Sequence, residues 1–525
     1  MAADGTAPQI SIPRDYNAAV DLIERNLKAG RGGKPAFRDD QGAYTYAELA
    51  ERVDRAANAL RGLGLEPEQR IMLCLLDGID FPTLFLGAIR AGIVPIAINT
   101  LLGPADYDFM LRDSRARALF VSEALLERFA PVLTRQPSLA HVIVSGGARM
   151  EERRSLSDLL AAAAPRAEAA PTTCDDVCFW LYSSGSTGTP KGVVHLQSHL
   201  TITAELYAKP ILGVTEKDVV FSASKLFFAY GLGNSLTFPL SVGATAVLMA
   251  ERASPTAVFQ RLKQHRPTIF YGAPTLYAAM LASPELPKRA EVALRLCSSA
   301  AEPLPENIGN RWTEHFGVEI LDGIGSTEML HIYLSNRPGD VRYGTTGIPV
   351  PGYQIRLVDD EGHAVPQGEI GELQVSGPTS AACYWNNRER SRQTFLGPWT
   401  RSGDKYVEGN DGYFTYCGRT DDMLKVSGMY VSPIEVENAL IAHPAVLEAA
   451  VVGQLDEQKL TKPKAYVVVK AGVAPSLALA AELQAHVKSR LAPFKYPRWI
   501  EFIEEMPKTA TGKIQRFKLR ARGTL

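Results

Sequence analysis

From residue 45 onward the apolar residues switch repeatedly between a helical period and short continuous runs, and this alternation restricts the fold more than any other feature of the chain. Thr45 and Glu48 form a capping box, Leu49, Val53, Ala56 and Leu60 mark one helical face, and Gly62 and Gly64 stop it. Ile71 to Leu76 then reads as a buried strand, Phe81 to Ala91 as a helix, and Ile93 to Ile98 and Ala118 to Val121 as further strands. A βαβα order predicts a parallel sheet covered by helices.

The polar, alanine-rich stretch 151–171 interrupts the pattern and predicts an exposed helix and a connector. A second α/β unit is expected from about Val177 to Leu321, and the short strands and Gly turns from Gly347 to about Arg401 predict a small β subdomain. Beyond Gly418-Arg419-Thr420-Asp421-Asp422, Ile434 to Ile441 reads as helix and Ala449 to Val452 and Tyr466 to Val469 as strands. At 525 residues the chain is too long for one core, since a domain takes roughly 150. The expected fold class is α/β: a large N-terminal domain, 1–420, of two doubly wound sheets plus the β subdomain, followed by a small α+β C-terminal domain, 421–525.

A charged content of 22% and a net charge of -1 lack the basic excess that a nucleic-acid footprint needs. Apolar runs such as Tyr466-Val467-Val468-Val469 fall far short of the roughly 18 residues that span a bilayer, so no membrane association is expected. The first residues lack the basic and apolar regions of a secretory signal, which predicts a cytoplasmic protein. Six scattered cysteines fit reduced thiols, and Cys174 and Cys178 have no matching second pair that would complete a metal site.

The strongest local signal is Tyr182-Ser183-Ser184-Gly185-Ser186-Thr187-Gly188-Thr189-Pro190-Lys191-Gly192, directly after the apolar run Phe179-Trp180-Leu181. Small residues let backbone N–H groups approach phosphate oxygens, hydroxyls add donors, and Lys191 supplies a mobile positive charge, so the loop can cradle a polyphosphate. It is not a Walker A loop, because Pro190 precedes the lysine where that motif has Gly and Gly192 follows it in place of Ser or Thr. Neither Gly231-Leu232-Gly233 nor Gly323-Ile324-Gly325 reaches the third Gly of a dinucleotide fingerprint, so both pairs need another explanation.

With Ala301-Glu302-Pro303-Leu304, Asp322-Gly323-Ile324-Gly325-Ser326-Thr327-Glu328, Ser402-Gly403-Asp404 through Arg419, and Pro507-Lys508-Thr509-Ala510-Thr511-Gly512-Lys513-Ile514 in this order, the chain resembles the acyl-adenylate-forming superfamily over nearly its whole length. The resemblance implies ATP, Mg2+ and coenzyme A as partners. It places Ser184, Gly185, Ser186, Thr187, Gly188 and Lys191 on the phosphates, Ala301, Glu302, Pro303, Asp322 and Gly323 around the adenine, and Asp404 and Arg419 on the ribose. It also implies Thr327 near the α-phosphate, Glu328 as the metal ligand, and Lys513 as the lysine that meets the negative charge gathered during adenylation. A hinge at Asp421 would exchange that lysine for a second face, where Lys425, Ser427 and Gly428 meet coenzyme A. Acetylation of Lys513 would remove the charge that adenylation needs.

By the same resemblance Ala229, Tyr230, Ala300, Gly325, His331 and Ile332 form the acid pocket, whose small and flat surfaces without a charged residue suit an acid with a compact, uncharged body. The segments Lys225 to Gly231 and Glu328 to Ile332 look most like those of benzoate:CoA ligases, enzymes of aromatic degradation. His331 either hydrogen-bonds a ring substituent or only packs against the ring. An enzyme that loads a carrier protein and a non-catalytic nucleotide-binding regulator remain alternatives, and a homodimer is left open.

Overall fold

The computed structural model describes residues 8–146, 154–183, 189–420, 422–426, 429–457, 460–492, 494–508 and 514–522. The chain divides into two compact units, Met1–Ile355 with Val375–Arg401, and Arg356–Gln374 with Ser402–Leu525.

In the first unit the helix Tyr46–Gly62 begins where the capping box places it: the Thr45 hydroxyl accepts the Glu48 N–H, and the Glu48 carboxylate accepts the Thr45 N–H at 2.7 Å. Leu49, Val53, Ala56 and Leu60 are all buried, worth about 2 kcal/mol for each of the larger side chains. This face meets the helix Asp80–Arg90 at a close crossing. A Cβ on Gly87 would lie 2.5 Å from the Ala56 Cβ and 3.1 Å from the Val53 carbonyl, so only glycine permits the approach.

The strands Arg70–Cys74, Val94–Ala97 and Ala118–Ser122 are parallel neighbours, with Arg70–Cys74 in the middle. They belong to an eight-stranded sheet in the order Cys383–Tyr384, Lys191–Leu196, Val177–Ser183, Val94–Ala97, Arg70–Cys74, Ala118–Ser122, His141–Ser145, Arg154–Ser155. The expected start of a second unit at Val177 is thereby corrected, because Val177–Ser183 runs parallel to Val94–Ala97 in this first sheet. An apolar run shows that a strand is buried on both faces and says nothing about which sheet buries it.

The second sheet has nine strands, and its centre, Val219–Ser222, Ile269–Gly272, Leu296–Ser299 and Ile320–Gly325, is parallel throughout. Pro35–Arg38 joins it beside Thr245–Val247, a long-range pairing that no local pattern announces. Ala229 and Tyr230 follow the first of these central strands, Ala300 and Ala301 follow the third, and Gly323 and Gly325 sit at the end of the fourth. These candidate residues thus lie at the carboxyl ends of parallel strands, where open α/β sheets bind ligands.

The alanine-rich stretch contains the helix Leu156–Ala162, with Leu156 and Leu160 buried rather than exposed. The connector after it is tied down through its carbonyls: Ala163 accepts from Arg55, Ala164 and Arg166 from Asn58, and Ala167 from Arg90.

In the second unit residues 404–408 pair antiparallel with Phe414–Arg419. Further along, Val446–Leu455, Thr461–Val469 and Trp499–Phe502 form a three-stranded sheet. The helices Pro433–Ile441 and Leu477–Arg490 close a core that includes Val436, Leu440, Val451, Val467, Leu483 and Val487. Both expected strands and the expected helix are present here. Among the described residues no helix is long and apolar enough to cross a membrane, and the six cysteines are free thiols.

Gly87→Val should destabilise the first unit by about 2 kcal/mol, read as an earlier urea midpoint, because two backbones cannot separate without opening the core. Gly62→Ala, with nothing within 4 Å of its Cβ, should be neutral or stabilising by up to about 1 kcal/mol.

Candidate active site

Ser183 and Lys191 face each other in the antiparallel pair that closes the phosphate loop, so the two ends of the loop are held one strand spacing apart. Ser184, Gly185, Ser186, Thr187 and Gly188 lie outside the described residues. The Lys191 Nζ stands 4.7 Å from the centroid of the Tyr384 ring, a cation–π arrangement. Tyr384 belongs to the short strand Cys383–Tyr384, which pairs with Lys191–Leu196, and its hydroxyl donates to Glu328 Oε1 at 2.8 Å. Ser183 Oγ donates to the same oxygen at 3.4 Å. Tyr384 therefore connects Lys191, the candidate phosphate lysine, to the candidate metal ligand, a link that sequence reasoning missed because a lone tyrosine among turns carries no motif of its own. Burial first and the neighbouring Glu328 second push its hydroxyl far up, so it stays protonated and donates.

Glu328 and Thr327 lie on the single 3-10 turn Thr327–Met329, capped by Ser326 Oγ accepting the Met329 N–H at 3.2 Å. Leu330 leaves this turn at φ +66, a region that costs a branched side chain about 1 kcal/mol or more and is held only where surroundings enforce it. No group of three or more His, Cys, Asp or Glu residues that could hold a metal is found among the described residues. A lone carboxylate fits Mg2+, which takes one or two carboxylates and completes its shell with phosphate oxygens and water.

At the candidate adenine site Ala301 also has a positive φ, +78, and the Glu302 carboxylate accepts the Thr275 hydroxyl. Asp322 is 3% exposed; its Oδ2 accepts the Leu304 N–H at 3.4 Å and its Oδ1 has no partner. Burial pushes this carboxyl up to about 8, so it is protonated at neutral pH and offers a hydroxyl rather than a charge. In the second unit Asp404 and Arg419 face each other in register, joined by an Arg419 Nη1 to Asp404 Oδ1 bond of 3.0 Å.

One glycine of each unexplained pair makes room for His331, a residue of the candidate acid pocket. A Cβ on Gly233 would lie 2.4 Å from His331 Cδ2, and one on Gly325 would lie 2.4 Å from the His331 carbonyl. His331 is buried among Tyr207, Tyr230 and Phe238, with ring centroids at 5.5, 5.5 and 4.5 Å. Its Nε2 faces the Tyr230 carbonyl at 3.3 Å, while Nδ1 has no partner. Burial pushes the imidazole down to about 3, so it is neutral; a carbonyl only accepts, which assigns the proton to Nε2 and leaves Nδ1 an acceptor. Tyr230 in turn donates to Ser298 Oγ at 3.0 Å, and Ala300 and Ile332 are buried nearby in sequence to these groups. Tyr207 and Phe238 were not anticipated. Tyr207 lies in the π-helical turn Ala204–Ala208 and Phe238 follows the π-helical turn Gly233–Thr237, and such turns blur the 3.6-residue period by which a helix face is read.

Asp421, Ser427, Gly428 and Lys513 lie outside the described residues. Lys425 is part of the strand Leu424–Val426.

The raised Asp322 carboxyl has a stability consequence. The unfolded chain releases this proton near 3.8 and the folded chain near 8, so between these values folding retains a proton and stability falls as pH rises. Asp322→Asn should therefore gain stability relative to the parent steadily from pH 4 to pH 8, measured by urea unfolding at a series of pH values; parallel curves would contradict this.

The AMP-binding enzyme family model matches residues 23–385 and its C-terminal domain model matches residues 435–513. The chain is 65% identical over 518 residues to a benzoate–CoA ligase of Thauera aromatica, covering 98% of each. It is 51% identical to a 4-hydroxybenzoate–CoA/benzoate–CoA ligase of Rhodopseudomonas palustris, covering 97% of this chain and 94% of that one. Among solved structures, a benzoate CoA ligase from Burkholderia xenovorans LB400 superposes with a TM-score of 0.89 at 59% identity, covering 96% of this chain and 100% of that one. With a hydroxyl-rich loop closed on Lys191, a carboxylate beside it and matches along nearly the full length, the chain belongs to the AMP-binding, acyl-adenylate-forming enzyme family.

Proposed function

We propose that this protein is an ATP-dependent aryl-acid:CoA ligase whose acid is benzoate. The observation that carries this reading is the 65% identity over 518 residues to a benzoate–CoA ligase, and the flat, uncharged surroundings of His331 agree with it. In the first half-reaction a carboxylate oxygen bonds to the α-phosphorus of ATP as the bond to pyrophosphate breaks. In the second the thiolate of coenzyme A bonds to the acyl carbon, and AMP leaves with the electrons of the broken C–O bond.

Each group has a part in this scheme. Lys191 and the hydroxyl-rich loop hold the phosphates, Glu328 holds Mg2+, and Thr327 stands at the α-phosphate. When bound, the ion neutralises charge on the phosphates. Ala301, Glu302, Pro303, protonated Asp322 and Gly323 line the adenine, and Asp404 with Arg419 takes the ribose. Ala229, Tyr230, Ala300, Gly325, His331 and Ile332 enclose the acid, with Tyr207 and Phe238 behind His331. Lys513 supplies the charge for adenylation, and residues 421–525 turn as a domain about Asp421 to bring Lys425, Ser427 and Gly428 to coenzyme A. The protein is placed in the cytoplasm, where ATP and coenzyme A are available.

Acid- and CoA-dependent AMP formation by the purified protein should be strong with benzoate, weaker with hydroxybenzoates, and weakest with cyclohexanecarboxylate and a fatty acid. Turnover confined to a non-aromatic acid would refute the pocket assignment, and turnover only with a carrier protein in place of coenzyme A would refute the ligase. Lys513→Ala should cost about 3 kcal/mol in adenylation, roughly a hundredfold in rate, while Asp421→Pro should spare adenylation and suppress thioester formation. Stopped-flow or quench assays of the separate half-reactions read both.

A further inference from the structure

The turn that carries Thr327 and Glu328 is held by its carbonyls. Thr327 O faces His195 Nε2 at 2.8 Å, Glu328 O accepts the Ala381 N–H at 2.8 Å, and Met329 O accepts the Thr379 hydroxyl at 2.8 Å. Two of these holders come from one neighbouring segment. The third, His195, comes from Lys191–Leu196, the strand that begins at the phosphate lysine. His195 is thus a side-chain link from the phosphate-binding hairpin to the backbone of the turn that bears the α-phosphate and metal residues.

The imidazole is built to serve as a fixed, neutral donor. It is fully buried and stacked on Phe179, its register partner across the hairpin, at 5.2 Å and 21°. A carbonyl only accepts, so Nε2 carries the proton and Nδ1 keeps its lone pair. His199 Nδ1 lies 3.0 Å from that lone pair and must then donate to it, which makes the longer 3.4 Å approach of the Leu196 N–H to His199 Nδ1 a contact without a hydrogen bond. Burial pushes His195 down to about 4 and His199 well below its ordinary value, so neither takes a second proton near neutrality and the tautomer pair does not scramble.

We propose that His195 is a positioning residue for adenylation, its Nε2–H fixing the Thr327 carbonyl and thereby the placement of Thr327 and Glu328 against the phosphate-binding hairpin. The inference rests on the adenylate-forming reading above. Thioester formation from ready-made acyl-adenylate involves no pyrophosphate departure, so it draws on this placement only where Thr327 meets the retained phosphate and depends on it less than adenylation does.

Two amide variants separate the roles of the ring nitrogens. His195→Gln can present an N–H where Nε2 stood, whereas His195→Asn reaches only the Nδ1 position and leaves the Thr327 carbonyl unpaired. Benzoyl-AMP formation from benzoate and ATP, and benzoyl-CoA formation from supplied benzoyl-AMP, are measured in the same preparations. The Asn variant should lose about tenfold or more in kcat for adenylation, with its KM for benzoate within about twofold of the parent and its thioester rate falling by a clearly smaller factor, and the Gln variant should recover most of the loss. Equal adenylation rates in the two variants, or equal loss of both half-reactions in the Asn variant, would overturn the inference. Absence of benzoyl-AMP formation by the unaltered protein would instead overturn the functional reading, and this inference with it.

Discussion

The antiparallel pairing of Val177–Ser183 with Lys191–Leu196 is the constraint on which the candidate site depends. It closes the phosphate loop between Ser183 and Lys191, and its parallel bond to Val94–Ala97 anchors that closure in the first sheet. The next strand out, Cys383–Tyr384, places the Tyr384 ring under Lys191 and its hydroxyl on Glu328. The same face of the hairpin, four residues beyond Lys191, places His195 against Thr327. One hairpin therefore sets a cation, a carboxylate and a backbone turn with respect to one another, through one cation–π contact and part-buried hydrogen bonds.

Desolvation determines which groups around that hairpin are charged. Asp322, His331 and His195 sit in the interior, where the charged form of each is disfavoured, so they act as a protonated carboxyl and two neutral imidazoles. Lys191 and Glu328 are less enclosed. The surroundings of His331 are thereby neutral, and a carboxylate placed among them would be buried without a partner.

Much of this organisation was legible in the sequence because it is local. The Thr45 and Glu48 cap, the face of Leu49, Val53, Ala56 and Leu60, and the C-terminal strands and helix each follow from residues a few positions apart. The hairpin that ends in the loop before Lys191 was legible for the same reason, whereas the candidate pocket positions were named through resemblance to a family. What escaped was set by distance along the chain. Pro35–Arg38 pairs with Thr245–Val247, and Val177–Ser183 joins a sheet that begins a hundred residues earlier; neither partner is encoded next to the strand that needs it. Tyr384 reaches Glu328 only because a two-residue strand adds to the hairpin, and Tyr207 and Phe238 reach His331 only through π-helical turns. The glycine pairs at Gly231-Leu232-Gly233 and Gly323-Ile324-Gly325 were visible but uninterpretable, since their meaning is the ring and carbonyl of a histidine distant from the first pair.

The strained backbone positions follow the same division. Ala301 and Leu330, both with φ positive and neither a glycine, flank the candidate adenine site and the Thr327–Met329 turn. At Gly64 a positive φ ends a helix and costs nothing, because glycine has no Cβ to clash. At Ala301 and Leu330 a side chain is retained despite the cost, so the conformation must be enforced by its surroundings. For Leu330 those surroundings are on hand: the three turn carbonyls just before it are held by His195, Ala381 and Thr379, and the His331 ring just after it is wedged between three aromatic rings. A backbone gripped on both sides cannot relax into an ordinary turn. The same grip that strains Leu330 sends the Glu328 carboxylate to the Tyr384 hydroxyl and the His331 imidazole, three residues on, to the Tyr230 carbonyl.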